Sequence, residues 1–178
     1  MPDDRVILVD ADDREVGTAD KMAAHRDGRL HRAFSVFLED AAGRVLLQRR
    51  ASGKYHSGGL WSNTCCGHPR PGESTPAAAR RRLREEMGVD LPLTPVCAFT
   101  YRAEFANGLR EHEVDHVFVG RLDTEPQPDP KEVAEWCWVR IPELAADLRN
   151  NPERYSAWLA PALAGLIERR SGGQADRQ

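Results

Sequence analysis

Long apolar runs, a basic excess and a cysteine framework are all missing from this chain of 178 residues. No apolar run approaches the ~20 residues that a membrane-spanning helix needs, so we expect no transmembrane segment. The start of the chain is acidic and lacks the apolar core of a signal peptide, so no export is indicated. The balance of 25 basic against 28 acidic residues excludes a general nucleic-acid or membrane-surface binder, which would need a strong basic excess.

Cysteine is sparse, and its spacing fits no structural zinc framework. Two of the four cysteines, Cys65 and Cys66, are neighbours, and a disulfide between neighbours is strained. The other two are Cys97 and Cys137. We therefore predict a cytoplasmic protein in a reducing environment, where a functional cysteine is more often catalytic or metal-associated than cross-linking.

The length suits one domain with a substantial hydrophobic core. We expect that domain to span residues 1–170 and to be followed by a disordered tail at 171–178. Most of the predicted elements are strands, with helices inserted between them. This order predicts a mixed α/β sandwich rather than a helix bundle or a closed barrel.

Turn and cap residues place the individual elements. The best helix begins with Thr75 as N-cap and Pro76 in its first position, and it ends at Gly88. A turn at residues 40–43 predicts a hairpin between the second and third strands. Strands are predicted at Val6–Val9, Ala33–Leu38, Val45–Gln48, Val96–Phe105, Glu111–Arg121 and Trp136–Ile141, and further helices at Lys21–His25, Pro142–Leu148 and Asn151 to about Arg169.

A thiol and an imidazole stand two residues apart at Cys66 and His68, between glycine and proline residues. In an extended segment, residues two apart share a face, so both side chains can project into one cavity. A cysteine becomes useful for catalysis when a neighbouring cation or metal adjusts its pKa. By itself the pattern is a weak indication of a catalytic site.

Two carboxylates, Glu85 and Glu86, stand in the last turn of the best helix, where the helix dipole disfavours negative charge. They can pair with Arg81 and Arg82 one turn earlier, which would explain them as solubilising surface residues. They can also hold a hard cation, since Mg²⁺ typically takes one or two carboxylates together with phosphate oxygens.

A third acidic group lies on a predicted strand, where Glu111, Glu113 and Asp115 point to the same side. These carboxylates repel one another unless water or a metal ion neutralises them, so a solvated strand face is one interpretation. The other is a metal site. A complete site for a divalent transition metal could consist of two of these carboxylates and three imidazoles. The chain offers three histidines for that purpose, His25, His31 and His68.

The helix and the segment before it resemble the Nudix box, whose acidic residues hold Mg²⁺ against a diphosphate. One position departs from the box, because this chain has Arg82 where glutamate is usual. The exchange would weaken the metal cluster used for diphosphate hydrolysis and supply a cation for the diphosphate instead. The pattern reads Gly67-x5-Glu73-x7-Arg81-Arg82-Leu83-x-Glu85-Glu86-x-Gly88-Val89.

Together with this departure, several further segments make the chain similar to the type I isopentenyl-diphosphate isomerases. The resemblance extends from Val6 to about Arg169 and implies a Nudix-type α/β/α sandwich with a core at about residues 30–167. It implies an enzyme that interconverts isopentenyl and dimethylallyl diphosphate by moving a double bond one carbon along. The segments are Ala23–His25, Arg29–His31, Asn63–Pro69, Glu111–Val114 and Tyr155–Trp158.

The family's functional positions are all present. The resemblance implies that Cys66 and Glu113 transfer protons on opposite sides of the alkene, with Glu113 and the neighbouring Tyr101 assigned to protonation and Cys66 to the opposing transfer. It implies a Mn²⁺ or Zn²⁺ site of five ligands, His25, His31, His68, Glu111 and Glu113, and a Mg²⁺ held with the substrate diphosphate by Glu86. It further implies diphosphate binding by Lys21, Arg50, Lys54 and Arg82, and stabilisation of a carbocation by Trp158.

Two alternatives remain open at this point. A Nudix diphosphate hydrolase would need the glutamate that Arg82 replaces and has no use for the Cys66 thiol. A non-catalytic Nudix-fold binding module would have no need of that thiol either. We expect a small diphosphate substrate as partner, no nucleic acid or membrane, and a monomer or weak homodimer.

Overall fold

The computed structural model describes residues 4–175. Within this range the chain forms nine strands and four α-helices, with the first two helices inserted between runs of strands and the last two at the end. The strands are β1 (Arg5–Val9), β2 (Glu15–Asp20), β3 (His31–Glu39), β4 (Arg44–Arg50), β5 (Trp61–Ser62), β6 (Cys65–Gly67), β7 (Thr94–Glu104), β8 (Arg110–Arg121) and β9 (Val133–Arg140). The helices are α1 (Lys21–Asp27), α2 (Thr75–Met87), α3 (Ile141–Asn150) and α4 (Leu159–Ala175), with a short 3₁₀ turn at Pro152–Arg154 before α4.

Strand β3 is the centre of the sheet. It runs parallel to β8 along its whole length, from His31 opposite Glu113 to Glu39 opposite Arg121. On its other side it pairs with β6, where Ser35 lies opposite Cys66. Because paired residues point to the same side of a sheet, β3 places Cys66 and Glu113 on one face and on either side of itself.

Helices cover both faces of the sheet. Alternate residues of β3 and β4, such as Val36 and Leu46, pack against Leu83 and its neighbours on α2. The intervening residues, such as Phe37 and Leu47, pack against α3 and α4. The α/β/α sandwich expected from the sequence is therefore confirmed. None of the described helices is both long and apolar enough to cross a membrane.

The boundaries of α2 follow from its cap residues. Ser74, rather than Thr75, is the N-cap, and its hydroxyl accepts a hydrogen bond from the Ala77 amide. Pro76 therefore occupies the second helical position and not the predicted first one. Gly88 ends the helix in the left-handed conformation, with φ 66°, which glycine adopts without a steric penalty.

Some predicted elements differ from the structure. The hairpin between β3 and β4 survives only at its turn, with Glu39 opposite Val45, because β8 and β6 take the remaining edges of β3. Strand β2 was not predicted. Residues after Asn151 make a 3₁₀ turn and then an extended segment, so the last helix begins later than expected and continues to Ala175. The rest of the predicted tail, residues 176–178, lies outside the described residues.

Candidate active site and metal centre

An open cleft of about 460 Å³ runs between the N-terminal strand pair, the loop after β4 and helix α2. Basic side chains line it, and Glu86 lies among them. Cys66 and His68 form its inner end. The four predicted diphosphate ligands all contribute to this lining: Lys21, Arg50, Lys54 and Arg82.

A small pocket of about 30 Å³ continues inward from the cleft. Arg50, Cys66 and His68 line both spaces and so join them. The pocket brings together the predicted proton-transfer residues, which come from strands on either side of β3. They are Cys66, Glu113 and Tyr101, and the ring of Trp158 lies against the same space.

Behind the pocket, five side chains converge. One ligand atom from each lies within 4.8 Å of the others, and they belong to the predicted ligand set: His25, His31, His68, Glu111 and Glu113. They come from α1, β3, the segment after β6, and β8. Backbone carbonyls fix the rings of two of these histidines. Nδ1 of His25 lies 2.6 Å from the backbone oxygen of Lys21, and Nδ1 of His31 lies 2.8 Å from the backbone oxygen of Arg29.

This arrangement fits a divalent metal ion. Both imidazoles are fully buried, and their Nε2 atoms, like Oε2 of Glu111, have no hydrogen-bond partner among the described residues. Buried polar atoms without partners are costly, and neutral imidazoles fixed through Nδ1 with a free Nε2 are typical metal ligands. The cluster therefore supplies the donors, the orientation and the unsatisfied atoms that a metal ion requires.

The two carboxylates of the cluster differ in ionisation. Burial and the adjacent charge of Glu113 raise the pKa of Glu111. Burial also acts to raise the pKa of Glu113, but the adjacent imidazoles of His31 and His68 outweigh it and hold that pKa well below its usual value. Burial lowers the pKa of His68 to about 4, so its imidazole is neutral at pH 7.

The Cys66 thiol and the Tyr101 hydroxyl both carry their protons at pH 7. Burial raises the pKa of Cys66 to about 12, although Arg50, whose Nη1 lies 3.6 Å from the sulfur, acts in the opposite direction. Burial raises the pKa of Tyr101 as well. The Tyr101 hydroxyl donates to Oε2 of Glu113 at 2.6 Å, and Nε2 of His68 lies 2.7 Å from the other oxygen of the same carboxylate.

The two acidic residues at the end of helix α2, Glu85 and Glu86, lie in different environments. Glu86 is buried, and it receives hydrogen bonds from Gln48 at 2.8 Å and from Arg82. Glu85 is exposed and pairs with Arg81 and Arg82, as the surface interpretation expected. Of these two carboxylates, only Glu86 faces the cleft.

Glu132, from the loop before β9, was not singled out in the sequence. Its carboxylate contacts both Lys54 and, at 3.5 Å, Arg82. Its backbone oxygen accepts a hydrogen bond from the Ala51 amide at 3.0 Å. This residue therefore fixes the base of the loop that carries Lys54, and no local sequence pattern revealed it.

Two further site residues were missed because they lie in a glycine- and serine-containing loop after β4. Lys21 lies over the Tyr55 ring at 4.5 Å from its centre. The side chain of His56 is buried, and its Nε2 lies 2.5 Å from Oε1 of Glu111. Burial lowers the pKa of His56 to about 3, so this imidazole too is neutral. The only local indication of these two site residues in the sequence is that Tyr55 and His56 are adjacent in a loop of mostly small residues.

The strand face that carries Glu111, Glu113 and Asp115 is buried, so the solvated interpretation of this face is wrong. Asp115 receives a hydrogen bond from Ser35 at 2.7 Å, and its burial raises its pKa. His116, on the opposite side of β8, pairs with Asp13 away from the site.

Comparison with known proteins places this geometry in a family. The family model of the NUDIX domain matches residues 29–159. The chain is 58% identical to isopentenyl-diphosphate Delta-isomerase 2 of Aromatoleum aromaticum, covering 95% of this chain and 89% of that protein. It is 55% identical to isopentenyl-diphosphate Delta-isomerase of Nocardia farcinica, covering 95% and 99% of the two chains. The chain belongs to the isopentenyl-diphosphate Delta-isomerase family.

Solved structures agree with this assignment at the level of the fold. DR0079 from Deinococcus radiodurans superposes with a TM-score of 0.76 at 24% identity, covering 90% of this chain and 97% of that one. A MutT protein from Methanosarcina mazei Go1 gives a TM-score of 0.61 at 17% identity, covering 84% and 96%. The isomerase family therefore uses a Nudix fold here, and this chain is an enzyme of the isomerase type.

Proposed function

We propose that this enzyme interconverts isopentenyl and dimethylallyl diphosphate by protonation and deprotonation. One proton is added to a carbon of the alkene, and another is removed from the carbon at the far end of the allylic unit. The observation that carries the proposal is the inner pocket, in which Cys66 and the Glu113–Tyr101 pair line one small space at the end of a basic cleft. An unactivated alkene needs an acid and a base held at fixed positions, and such positioned groups contribute about 10²–10⁴-fold each.

The outer cleft binds the diphosphate in this proposal. Lys21, Arg50, Lys54 and Arg82 surround a space open to solvent, which suits a small charged group. Guanidinium and ammonium groups form strong, charge-assisted hydrogen bonds with phosphate oxygens. Glu86, buried beside these cations, is the carboxylate that would hold Mg²⁺ together with the phosphate oxygens.

Protons move between the two sides of the pocket. With the Cys66 thiol protonated and Glu113 ionised, the resting enzyme can deliver a proton from sulfur and accept one on the carboxylate. The family resemblance instead assigns protonation of the alkene to Glu113 with Tyr101 and the opposing transfer to Cys66. The two roles exchange when the direction of the reaction is reversed. Arg50, next to the sulfur, stabilises the thiolate that either direction transiently requires.

The carbocation formed between the two transfers needs a dry site with electron-rich surfaces. Trp158 is buried against the inner pocket, and its indole nitrogen donates to Asn63 at 3.0 Å, which fixes the ring. The Arg50 guanidinium lies 5.2 Å from the ring centre, so the ring already accepts a cation. A desolvated cation over an aromatic face gains about 2 kcal/mol.

The His25, His31, His68, Glu111 and Glu113 cluster would hold a divalent ion, with Mn²⁺ or Zn²⁺ as our proposal for its identity. When bound, that ion would neutralise the two buried carboxylates and keep Glu113 ionised between turnovers. The chain's own contribution is orientation, because backbone carbonyls fix the rings of His25 and His31.

The decisive experiment measures isomerisation of isopentenyl diphosphate by two cysteine variants. We expect Cys66→Ala to lower kcat about 10²–10⁴-fold, because a positioned proton-transfer group is lost. The matched control is Cys65→Ala, one residue away, whose side chain lies in the core on the other face of the sheet. If Cys66→Ala turned over at the rate of the unsubstituted enzyme, the assignment of proton transfer to Cys66 would be wrong.

The same assay distinguishes a hydrolase. Arg82 occupies the position where hydrolysis would need a glutamate, and its guanidinium pairs with Glu86. We therefore expect no release of inorganic phosphate or pyrophosphate during incubation with isopentenyl diphosphate.

The prediction of a monomer or weak homodimer stays a prediction, which size-exclusion chromatography with light scattering would check.

A further inference from the structure

Asn63, in the turn between β5 and β6, is completely buried. It lines neither the cleft nor the inner pocket, so it does not touch a substrate held there. Nevertheless its side chain contacts the ring of Trp158 and the backbone of Cys65, the residue before Cys66. A buried amide that touches both of these segments calls for a role beyond filling the core.

The side-chain amide of Asn63 makes four hydrogen bonds. Nδ2 donates to the backbone oxygens of Val36 at 3.2 Å and of Cys65 at 2.6 Å. Oδ1 accepts from the indole nitrogen of Trp158 at 3.0 Å and from the hydroxyl of Ser62 at 2.9 Å. A carboxamide has two N–H donors and one oxygen with two lone pairs, so its hydrogen-bonding capacity is fully used.

These partners admit only one orientation of the amide. Backbone oxygens only accept hydrogen bonds, and an indole nitrogen only donates. Turning the amide over would place Oδ1 against the two backbone oxygens and Nδ2 against the N–H of Trp158. Buried polar groups without partners are costly, so the fold holds Oδ1 toward the indole.

Two serines connect Asn63 to the chain segment that carries Trp158. The hydroxyls of Ser62 and Ser156 lie 2.9 Å apart, and both residues are buried. Because Ser62 donates its proton to Oδ1 of Asn63, Ser156 is the donor in the serine pair. The amide of Ser156 also donates to the backbone oxygen of Trp61 at 2.9 Å. The segment before α4 is therefore held by its backbone and by its side chains.

Through these bonds, one side chain sets the relation between two walls of the inner pocket. Cys66 and Trp158 both line that pocket. The bond to the oxygen of Cys65 fixes the strand that carries the thiol, and the bond to the indole nitrogen fixes the ring. An indole ring would otherwise turn about its side-chain torsions, and Oδ1 of Asn63 restricts that rotation.

We propose that Asn63 is a positioning residue for the isomerisation, which holds the face of Trp158 toward the carbocation. This inference rests on the proposed function, in which Trp158 stabilises that cation, and it adds the residue that orients the ring. Small displacements of a positioned group are costly for catalysis. Loss of Asn63 should therefore weaken the response of the pocket to positive charge more than its response to shape.

The test compares two ligands by isothermal titration calorimetry. One is a saturated, branched five-carbon diphosphate, and the other has a protonated tertiary amine in place of the branched carbon. Their affinity ratio measures the preference of the pocket for a cation. Asn63→Leu has nearly the shape of asparagine but no acceptor, and we expect it to lower this ratio about 10-fold. Asn63→Asp keeps the shape and an acceptor oxygen, and we expect no fall in the ratio.

Two further variants control for the fold. Ser156→Ala removes a hydroxyl of the same network but leaves the bond between Asn63 and Trp158, so we expect the ratio to stay unchanged. Asn63→Ala leaves room for water beside the freed backbone oxygens, and we expect it to lower the ratio as Asn63→Leu does. Thermal unfolding and near-ultraviolet circular dichroism show whether each variant is folded.

Each outcome decides the matter. An unchanged ratio in the folded leucine or alanine variant of Asn63 would overturn the proposal, because a purely structural role weakens both ligands equally. A loss in Asn63→Asp as large as that in Asn63→Leu would also overturn it, since the acceptor would then be irrelevant. Trp158→Leu separates the two levels. If it kept the ratio, the role of Trp158 in the proposed function would be wrong and the role of Asn63 would fail with it; if it alone lowered the ratio, only the role of Asn63 would fail.

Discussion

At the scale of the residue, Arg82 carries the chemical difference between this enzyme and a hydrolase with the full Nudix box. Its guanidinium lies between Glu85, Glu86 and Glu132. Burial acts to lower the pKa of Arg82, but the charges of Glu86 and Glu85 outweigh burial and raise that pKa above its usual value. A permanent cation replaces an anion at the edge of the cleft. Relative to the full Nudix box, the cleft consequently has one carboxylate fewer and one guanidinium donor more.

The first prediction concerns this cation. We expect Arg82→Gln to weaken the binding of inorganic pyrophosphate, measured calorimetrically with Mg²⁺ present, about 10- to 100-fold, since charge-assisted hydrogen bonds contribute about 1.5–3 kcal/mol. The matched control is Arg84→Gln on the same helix, whose side chain is 58% exposed and pairs with Asp90 away from the cleft. Equal affinity of the two variants would show that Arg82 does not contact the diphosphate.

At the scale of the element, helix α2 is anchored by Glu73 in the segment before it. Its oxygens accept from Nε and Nη2 of Arg81 at 2.7 and 2.9 Å and from the Arg70 amide at 2.9 Å. This bidentate pair holds the entry to the helix on which Arg82 and Glu86 are mounted. The first glutamate of the Nudix-box pattern is therefore structural in this chain.

The second prediction follows from the ionisation of Glu73. The hydrogen bond from Arg81 lowers its pKa below the usual 4.5. Its stabilisation is therefore complete above that value and is lost as the pH falls through the lower native pKa. We expect Glu73→Gln to lower the free energy of unfolding in urea by about 1.5–3 kcal/mol at pH 7.

Below the native pKa the difference between Glu73→Gln and the unsubstituted protein should shrink, because the glutamate is then protonated in both states. Glu85→Gln serves as the control, since its side chain is 41% exposed, and exposed pairs contribute about 0–1 kcal/mol. A gap that stayed constant from pH 7 down to acid unfolding would contradict the proposed ion pair.

At the scale of the whole molecule, the metal cluster joins parts of the chain that are far apart in sequence. His25 comes from α1, His31 from β3, His68 from the segment after β6, and Glu111 and Glu113 from β8. An ion that binds all of them stabilises the native arrangement, since the unfolded chain cannot present the same set.

The third prediction is a metal-dependent melting temperature. Zn²⁺ or Mn²⁺ at 100 times its Kd should stabilise the metal-stripped protein by about 2.7 kcal/mol, which corresponds to a rise in Tm of about 5–10 °C for a chain of this size. Differential scanning calorimetry measures it. His25→Ala should show no such rise, and an equal rise in that variant would place the ion elsewhere.

The sequence by itself determined much of this enzyme. Strand periodicity put Glu111, Glu113 and Asp115 on one side of β8, proline and glycine marked the ends of α2, and the motif around Cys66 and His68 with Arg82 led to the family. These features are local, or are carried by residue types at fixed spacing, so they can be read along the chain. The five clustered side chains are the ligand set that the family resemblance implies.

Only the tertiary structure decided what covers each face and which distant residues meet. Periodicity shows to which side of a strand a residue points, but not whether that side is buried. The burial of Asp115 and the neighbouring glutamates depended on how the loop after β4 and α1 pack over β8, which is itself held between β3 and β7 in the sheet. The contacts of His56 with Glu111 and of Glu132 with Lys54 join residues separated by more than fifty positions. Such contacts depend on the pairing of β3 with β8 and β6, because long-range packing, rather than any local preference, brings these side chains together.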